Sequence, residues 1–496
     1  MDDRGRVGWS RRDVLLALGL SACSAPQTSS RTPATPAAQR EQILSTAWPA
    51  CKSPALGSRS PTAFPRVDIH CHVFNALDLP IEGFIRSLAG GAGVPDALVR
   101  KPARLVEENI IRLTDSRRGT SGIDLPGASK AIGPLLPVLE KSPVASRVGA
   151  LVDTVELVTR PRAQVAAQIA KDYPEVGLFT PALVDFQHWH DGKPPRTSLE
   201  EQVVEHEQIA LEFACKGGPS FHHYAAYNPL RDVRDAGASL SLVKHAIEKR
   251  GFIGVKMYPP TGFLPLNNSR FSDRDARLLG KQLDERLREF YEYCETEDVP
   301  IMAHANESNE FGPGFGWRAN PWGWGMVLAE YPELRLNFGH FGHARGVSGN
   351  TDFTCSCWSK QIVELMADKA HVYADISNSE LYRDTAYRSS YEQLLLRRFS
   401  QFGDVSRRVM YGSDWWMLKF NPEPAKDFYP ELVKFFGANA ALRPHLERFM
   451  SHNALEFLGI RTADGAFDDG NKNRRRLLAY YKEKAAPVPA WLAPAT

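Results

Sequence analysis

Arg66-Val-Asp-Ile-His-Cys-His72 is the stretch on which the fold turns. Val67-Asp-Ile-His70 reads as a short apolar strand directly after a Pro-containing segment. On a strand, residues two apart point to the same side. The imidazoles of His70 and His72 can therefore converge on one point while Cys71 faces the opposite way. Two neutral imidazoles at a strand end can hold a borderline-soft divalent metal. The competing reading is an ordinary pair of strand-end histidines. What decides between them is whether matching polar groups recur after later strands.

Seven further strand-like stretches follow: 176–184, 221–226, 252–257, 299–304, 334–340, 371–376 and 408–413. From residue 176 onward they alternate with amphipathic helical patterns, such as 276–296. Short apolar strands alternating with helices imply parallel pairing. Eight such units predict an α/β fold, a closed (β/α)8 TIM barrel, whose catalytic residues sit at the carboxyl ends of the strands. A doubly wound open sheet is the structural competitor. Residues 78–175, with helical patterns at 100–112 and 146–173, read as a helical insertion after the first strand.

The chain has 496 residues, is 43% hydrophobic and carries a net charge of +2. That is ample for one large barrel. No basic stripe with interleaved aromatics suggests nucleic-acid binding, and no run of eighteen apolar residues suggests a membrane span. Residues 1–23 read as an export signal. Ser10-Arg-Arg-Asp-Val-Leu-Leu16 resembles a twin-arginine signal, and Leu20-Ser-Ala-Cys23 resembles a bacterial lipoprotein cleavage box. Cys23 is then the expected lipidation site, which places the protein in the periplasm or cell envelope, on a membrane surface. Residues 24–63, rich in Ser, Thr, Pro, Ala and Gln, read as a disordered tether. The globular part spans 64–460, and 461–496 reads as a basic helical tail. Without Cys23 six cysteines remain, and an oxidising compartment permits disulfides whose pairing the sequence does not give.

The polar residues fall where a barrel wants them. The first strand ends in His70 and His72, the fifth in His304, the sixth in His340 and the eighth in Asp414. At this point the chain resembles the amidohydrolase superfamily, and within it the amidohydrolase-related group that includes aminocarboxymuconate-semialdehyde decarboxylase. The stretches that carry the resemblance are Asp68-Ile-His-Cys-His72, Gly251-Phe-Ile-Gly-Val-Lys-Met257, Ile301-Met-Ala-His304, His340-Phe-Gly342, Gly412-Ser-Asp-Trp415 and Met450 to Gly459. The resemblance implies that His70, His72 and His304 bind one divalent metal, with Asp414 as the remaining ligand or the base beside it. Zinc is the first choice, with manganese or another divalent ion as alternatives. It also implies an acid–base or activating role for His340. A second metal bridged by a carbamylated Lys256 is not expected. Asp414-Trp415-Trp416 departs from the family, which often has Pro soon after this Asp, and this alters the pocket wall.

The chemistry stands on physical grounds as well. A divalent cation lowers the pKa of bound water to about 7, an ionised Asp414 can take that water's proton and hand it on, and charge on a carbonyl oxygen is stabilised at the transition state. Lys256 ends the fourth strand and is expected to face a substrate carboxylate or an internal acid such as Asp375. Arg345 is a candidate carboxylate clamp. The expected function is a metal-dependent hydrolase of an amide, ester or lactone-type bond. The alternatives are a non-oxidative decarboxylase of an unsaturated or aromatic carboxylate, and an inactive barrel serving as an envelope binding protein. Expected partners are a small-molecule substrate, a membrane surface through the lipid at Cys23, and a second copy of the chain if it dimerises.

Overall fold

The computed structural model describes residues 37–48, 63–91, 96–116, 130–135, 154–187, 194–270, 274–306, 315–342, 358–378, 392, 395–397, 400, 405–419 and 424–494. Nine strand pieces run through them: β1 Arg66–Cys71, β2 Val176–Pro181, β3 Ser220–Phe221, β4 Tyr224–Tyr227, β5 Gly254–Met257, β6 Ile301–His304, β7 Leu336–Gly339, β8 Val372–Ile376 and β9 Val409–Tyr411. Every residue of β4 to β9 is buried. Strands covered on both faces favour the apolar runs seen here and parallel pairing, and all the ladders are parallel, in consecutive order β1-β2-β3 and β4-β5-β6-β7-β8-β9.

The two sheets are parts of one ring. β3 and β4 occupy a single strand position interrupted at His222-His223, so nine pieces fill eight positions. At this break a parallel bridge joins Ala182 to Tyr224, and Leu183 N donates to Tyr224 O at 3.0 Å. At the other seam, the backbone N–H of Asp414, just past β9, donates to His70 O of β1 at 2.6 Å. The Asp68 carboxylate accepts from Ser413 N at 2.9 Å and from Ser413 Oγ at 2.6 Å. Among the described residues no regular ladder joins β9 to β1, and these bonds do that work in a (β/α)8 barrel.

Helices fill the crossovers. Leu199–Cys215 opens with a capping box in which the Ser198 side chain accepts from Glu201 N and Glu201 reaches back to Ser198 N. Ala238–Lys249, Arg274–Thr296, Trp324–Glu330 and Trp358–Asp368 follow β4 to β7 in turn. The insertion between β1 and β2 contains Ile81–Gly91, Asp96–Ser116 and Arg162–Asp172. The last begins directly after Pro161, where the missing N–H costs a helix nothing. Buried Arg162 ties the insertion to the barrel, pairing with Asp78 and donating to Thr197 Oγ1 at 3.0 Å.

Two segments differ from the sequence reading. Within 24–63, Ala37–Leu44 is a helix that packs on Leu199–Cys215. Its Ala-Ala-Gln-Arg-Glu-Gln-Ile-Leu composition favours helix, and the Arg250 guanidinium meets its last carbonyls, donating to Leu44 O and, at 2.8 Å, to Thr46 O. The C-terminal tail is part of the core. Leu477, Tyr481, Trp491 and Leu492 join Leu178, Tyr224, Met302, Tyr373 and Met410 in one apolar cluster. Trp491 Nε1 donates to Ser220 Oγ at 3.0 Å, and Asn473 Nδ2 donates to Ile253 O at 3.0 Å. Both acceptors lie at the starts of strand positions, so the tail covers the end of the barrel opposite the strand carboxyl termini.

His206 is fully buried and its ring centroid lies 4.3 Å from that of His223. Neither ring nitrogen of His206 has a hydrogen-bond partner. Burial holds its pKa well below the ordinary value, with His223 and Arg162 adding to the effect. A histidine kept neutral in the fold but free to protonate when unfolded costs about 1.4 kcal/mol of stability per pH unit below about 6.5. The His206→Phe variant removes that liability. Its stability relative to the native protein is expected to rise by about 2 kcal/mol between pH 7 and pH 5, read from urea unfolding at both pH values. An unchanged difference would show that His206 is already charged or solvated in the fold.

Candidate metal centre

β1 brings three polar side chains, Asp68, His70 and His72, to the carboxyl end of the barrel. His70 is fully buried, and its ring sits in a slot made by two glycines. A Cβ on Gly339 would lie 2.9 Å from His70 Cε1, and one on Gly412 would lie 2.7 Å from His70 Cβ. Any side chain at either position would displace the imidazole. His70 Nδ1 faces both oxygens of Asp375 at 3.1 Å. An ionised carboxylate only accepts, so Nδ1 carries the proton and Nε2 presents its lone pair. His72 has the same arrangement: Nδ1 donates to Ala182 O at 2.8 Å, leaving Nε2 as the acceptor nitrogen. Outer partners of this kind are what orient metal-ligating histidines.

Asp414 completes the set. Its carboxylate oxygen lies 3.5 Å from His72 Nε2. Donor atoms of His70, His72 and Asp414 all lie within 4.8 Å of one another. Two imidazole nitrogens and a carboxylate oxygen form a donor set suited to zinc and to other divalent ions. Fixed tautomers and a glycine slot that holds one ring in place mean that the residues present fit such an ion. His70, His340 and Asp375 form a second close group, centred on Asp375.

Two strained backbone positions lie at the same place. His340 has φ +75° and Asp414 has φ +49°, both in the left-handed region. Each such non-glycine residue costs roughly 1–3 kcal/mol and persists only where its surroundings hold it. His340 N donates to Asp375 Oδ1 at 3.1 Å, and Asp414 N donates to His70 O at 2.6 Å. The strain is thus tied to the residues that build the site.

Lys256, from β5, points into the same space. Its Nζ lies 3.0 Å from His70 Nε2 and 3.2 Å from Met302 Sδ. Burial pushes its pKa down to about 8, against the pull of Asp375 and Asp414. The histidines are held neutral: burial, followed by Lys256, depresses His70 and His304 well below the ordinary value and His72 to about 3. His340 is depressed first by burial, then by His70 and His304. Neutral imidazoles are the form that binds a cation. Asp68, raised to about 7 by burial, is held by Ser413 and supports the strand seam.

Of the residues expected to act, the structure gathers His70, His72 and Asp414 into one group. His304 falls in neither close group: its Nδ1 lies 3.2 Å from His340 Nε2, and its ring stacks on Tyr258 at 4.2 Å. Trp416 stacks on Phe74 at 4.5 Å, and the Phe74 ring lies 6.2 Å from that of His72, whereas Trp415 Nε1 donates to Asp172 Oδ2 at 2.8 Å. Arg345 and Cys23 lie outside the described residues. Sequence reading missed Ser377, which lies within 3.0 Å of His70 Nδ1, and Asn337, whose Nδ2 donates to Asp375 Oδ2 at 2.7 Å. The only signals for them were a polar residue inside an apolar strand, Asn337, and one just past a strand end, Ser377.

No curated protein matches the chain. Among solved structures it is similar to an amidohydrolase from Burkholderia multivorans with bound zinc, at 12% identity and a TM-score of 0.42, covering 79% of this chain and 99% of that one. It is also similar to an amidohydrolase from Burkholderia ambifaria with bound zinc, at 14% identity and a TM-score of 0.36, covering 88% of this chain and 96% of that one. His70 and His72 precede the segment matched by a family model, whereas Lys256, His304, His340, Asp375 and Asp414 lie within it. That segment, residues 229–460, matches the amidohydrolase family model.

Proposed function

We propose that the protein is a metal-dependent hydrolase that cleaves an amide, ester or lactone-type bond. The observation that carries the reading is the convergence of His70, His72 and Asp414 donor atoms, each buried or nearly so, at the carboxyl end of a parallel barrel. A divalent ion held there supplies Lewis acidity and a water that ionises near neutral pH. Asp414 accepts the proton of the attacking water and returns it to the leaving group. His340 hydrogen-bonds the substrate oxygen on which charge develops. His304 is the remaining imidazole beside His340 and adds a further donor or ligand. Lys256 is a buried cation within reach of the same space, and it suits a substrate that carries a carboxylate.

That cation also keeps a second reading in view, a non-oxidative decarboxylase, since a carboxylate held by Lys256 lies beside the ligand histidines. A screen of lactones, amides, esters and unsaturated carboxylates with zinc- or manganese-loaded protein separates the two. A new carboxylate with no carbon dioxide supports hydrolysis. Carbon dioxide release without water addition supports decarboxylation, and no turnover of any class with full metal occupancy supports a binding protein.

Export and lipid anchoring at Cys23 are part of the same proposal. They rest on Ser10-Arg-Arg-Asp13 and Leu20-Ser-Ala-Cys23. Cys215 is disulfide-bonded, which suits an oxidising compartment, and among the described residues no helix is long and apolar enough to cross a membrane. The Cys23→Ser variant is expected to move from the membrane to the soluble fraction on cell fractionation. Unchanged membrane association would refute the anchor.

A further inference from the structure

Ser377 stands between two histidines of the site and touches both. Its Oγ lies 3.0 Å from His70 Nδ1 and 2.8 Å from His340 Nδ1, and the residue is buried. A hydroxyl has one proton to give, so the two contacts cannot both be donations. Neighbouring groups decide which is which.

His70 is fixed from both sides. Asp375 faces Nδ1 with both oxygens, already accepts from Asn337 Nδ2 and His340 N, and has no proton of its own when ionised. Lys256 faces Nε2 at 3.0 Å as a donor. The His70 proton is therefore on Nδ1. Toward that N–H, Ser377 can only accept, and its own proton is then available to His340 Nδ1, the arrangement that uses the hydroxyl proton rather than both oxygen lone pairs. A neutral His340 then carries its proton on Nε2, and that N–H points at His304 Nδ1, 3.2 Å away. In this arrangement each link has one donor and one acceptor, starting from the acceptor-only carboxylate of Asp375, and the His304 ring has a further hydrogen-bond partner in the Asn306 backbone.

We propose that Ser377 is the positioning residue that sets the tautomer of His340, holding its proton on Nε2 so that the ring meets the site as a hydrogen-bond donor. The tautomer rests on the contacts and does not depend on the reaction. Its catalytic meaning, donation to the substrate oxygen or leaving group once substrate replaces His304 Nδ1 as the acceptor, rests on the hydrolase reading above. Ser377 would act only through His340 and would not touch substrate.

The test is multiple-bond proton–nitrogen correlation NMR on the full-length protein labelled with 15N-histidine and carrying zinc, a diamagnetic ion. The His340 signals are assigned by their loss in the His340→Asn variant. The expected spectrum shows His340 protonated at Nε2 and unprotonated at Nδ1. In Ser377→Ala that pattern should be lost, with protonated Nδ1 appearing, and Ser377→Thr, which keeps the hydroxyl, should restore it. Native His340 protonated at Nδ1, or an Nε2-protonated pattern that survives Ser377→Ala, would overturn the proposal. The native spectrum alone decides the tautomer should the alanine variant fail to fold. Because no substrate is needed, an inactive protein with the expected tautomer would sink the hydrolase reading and leave this inference standing.

Discussion

Replacing His70 and His72 together by alanine is expected to reduce bound zinc to background, measured by elemental analysis after dialysis, while the barrel remains folded by circular dichroism. The two rings supply both imidazole donors of the three-residue group, and with Asp414 left alone a single carboxylate cannot retain the ion. The loss is not free for the fold. Truncating His70 leaves Asp375 and Lys256 buried with one partner fewer, at a cost of about 1–3 kcal/mol for each unsatisfied group. That cost is tolerable because Asp375 keeps Asn337 Nδ2 and the His340 N–H. A lower melting temperature with retained helicity and lost zinc is the expected combination. Full zinc content in the folded double variant would place the ion elsewhere.

Asp414→Asn is the second large effect. Asp414 adopts φ +49°, a conformation that few residues other than glycine accept and that asparagine also tolerates. The substitution keeps the backbone donor to His70 O and nearly the same shape, and removes the charge, with it the anionic donor to the ion, and the proton-accepting capacity. Turnover is expected to fall by about 10²- to 10⁴-fold, the range for loss of a general base, with melting temperature within a few degrees of the native protein. Initial rates on the best substrate from the screen measure it. Near-native turnover would remove Asp414 from the mechanism.

How much of this was legible in the sequence depends on the length scale of each signal. All eight strand positions were readable, because a strand buried on both faces writes its burial into three to six consecutive residues, as in Ile301-Met-Ala-His304. His70 and His72 were readable as a pair because the period of two is local. Asp414 was visible from its place after the last strand. The interruption at His222-His223 was not, since both residues are buried and break the strand only through the partners they meet: His222 Nδ1 to Gly251 O at 2.7 Å and Nε2 to Tyr481 OH at 2.8 Å. Ser377 and the Ala182 carbonyl escaped for a like reason. A serine and a backbone oxygen carry no signature until closure of the ring sets them against an imidazole. The helix Ala37–Leu44 was hidden by averaging: eight helix-forming residues sit within forty dominated by Pro, Ser and Thr, and what secures them is Arg250, about 200 positions away. The core role of the tail was missed because its apolar residues, Leu477, Tyr481, Trp491 and Leu492, are spread among charges.

Both predictions depend on His70, His72 and Asp414 sharing one cation. Anomalous X-ray scattering from zinc-soaked crystals, collected on both sides of the zinc edge, tests it most directly. The expected peak lies about 2.0–2.2 Å from His70 Nε2, from His72 Nε2 and from an Asp414 carboxylate oxygen. A fully zinc-loaded crystal whose peak lies beyond bonding distance of these three atoms, or that shows none in the barrel, would contradict it.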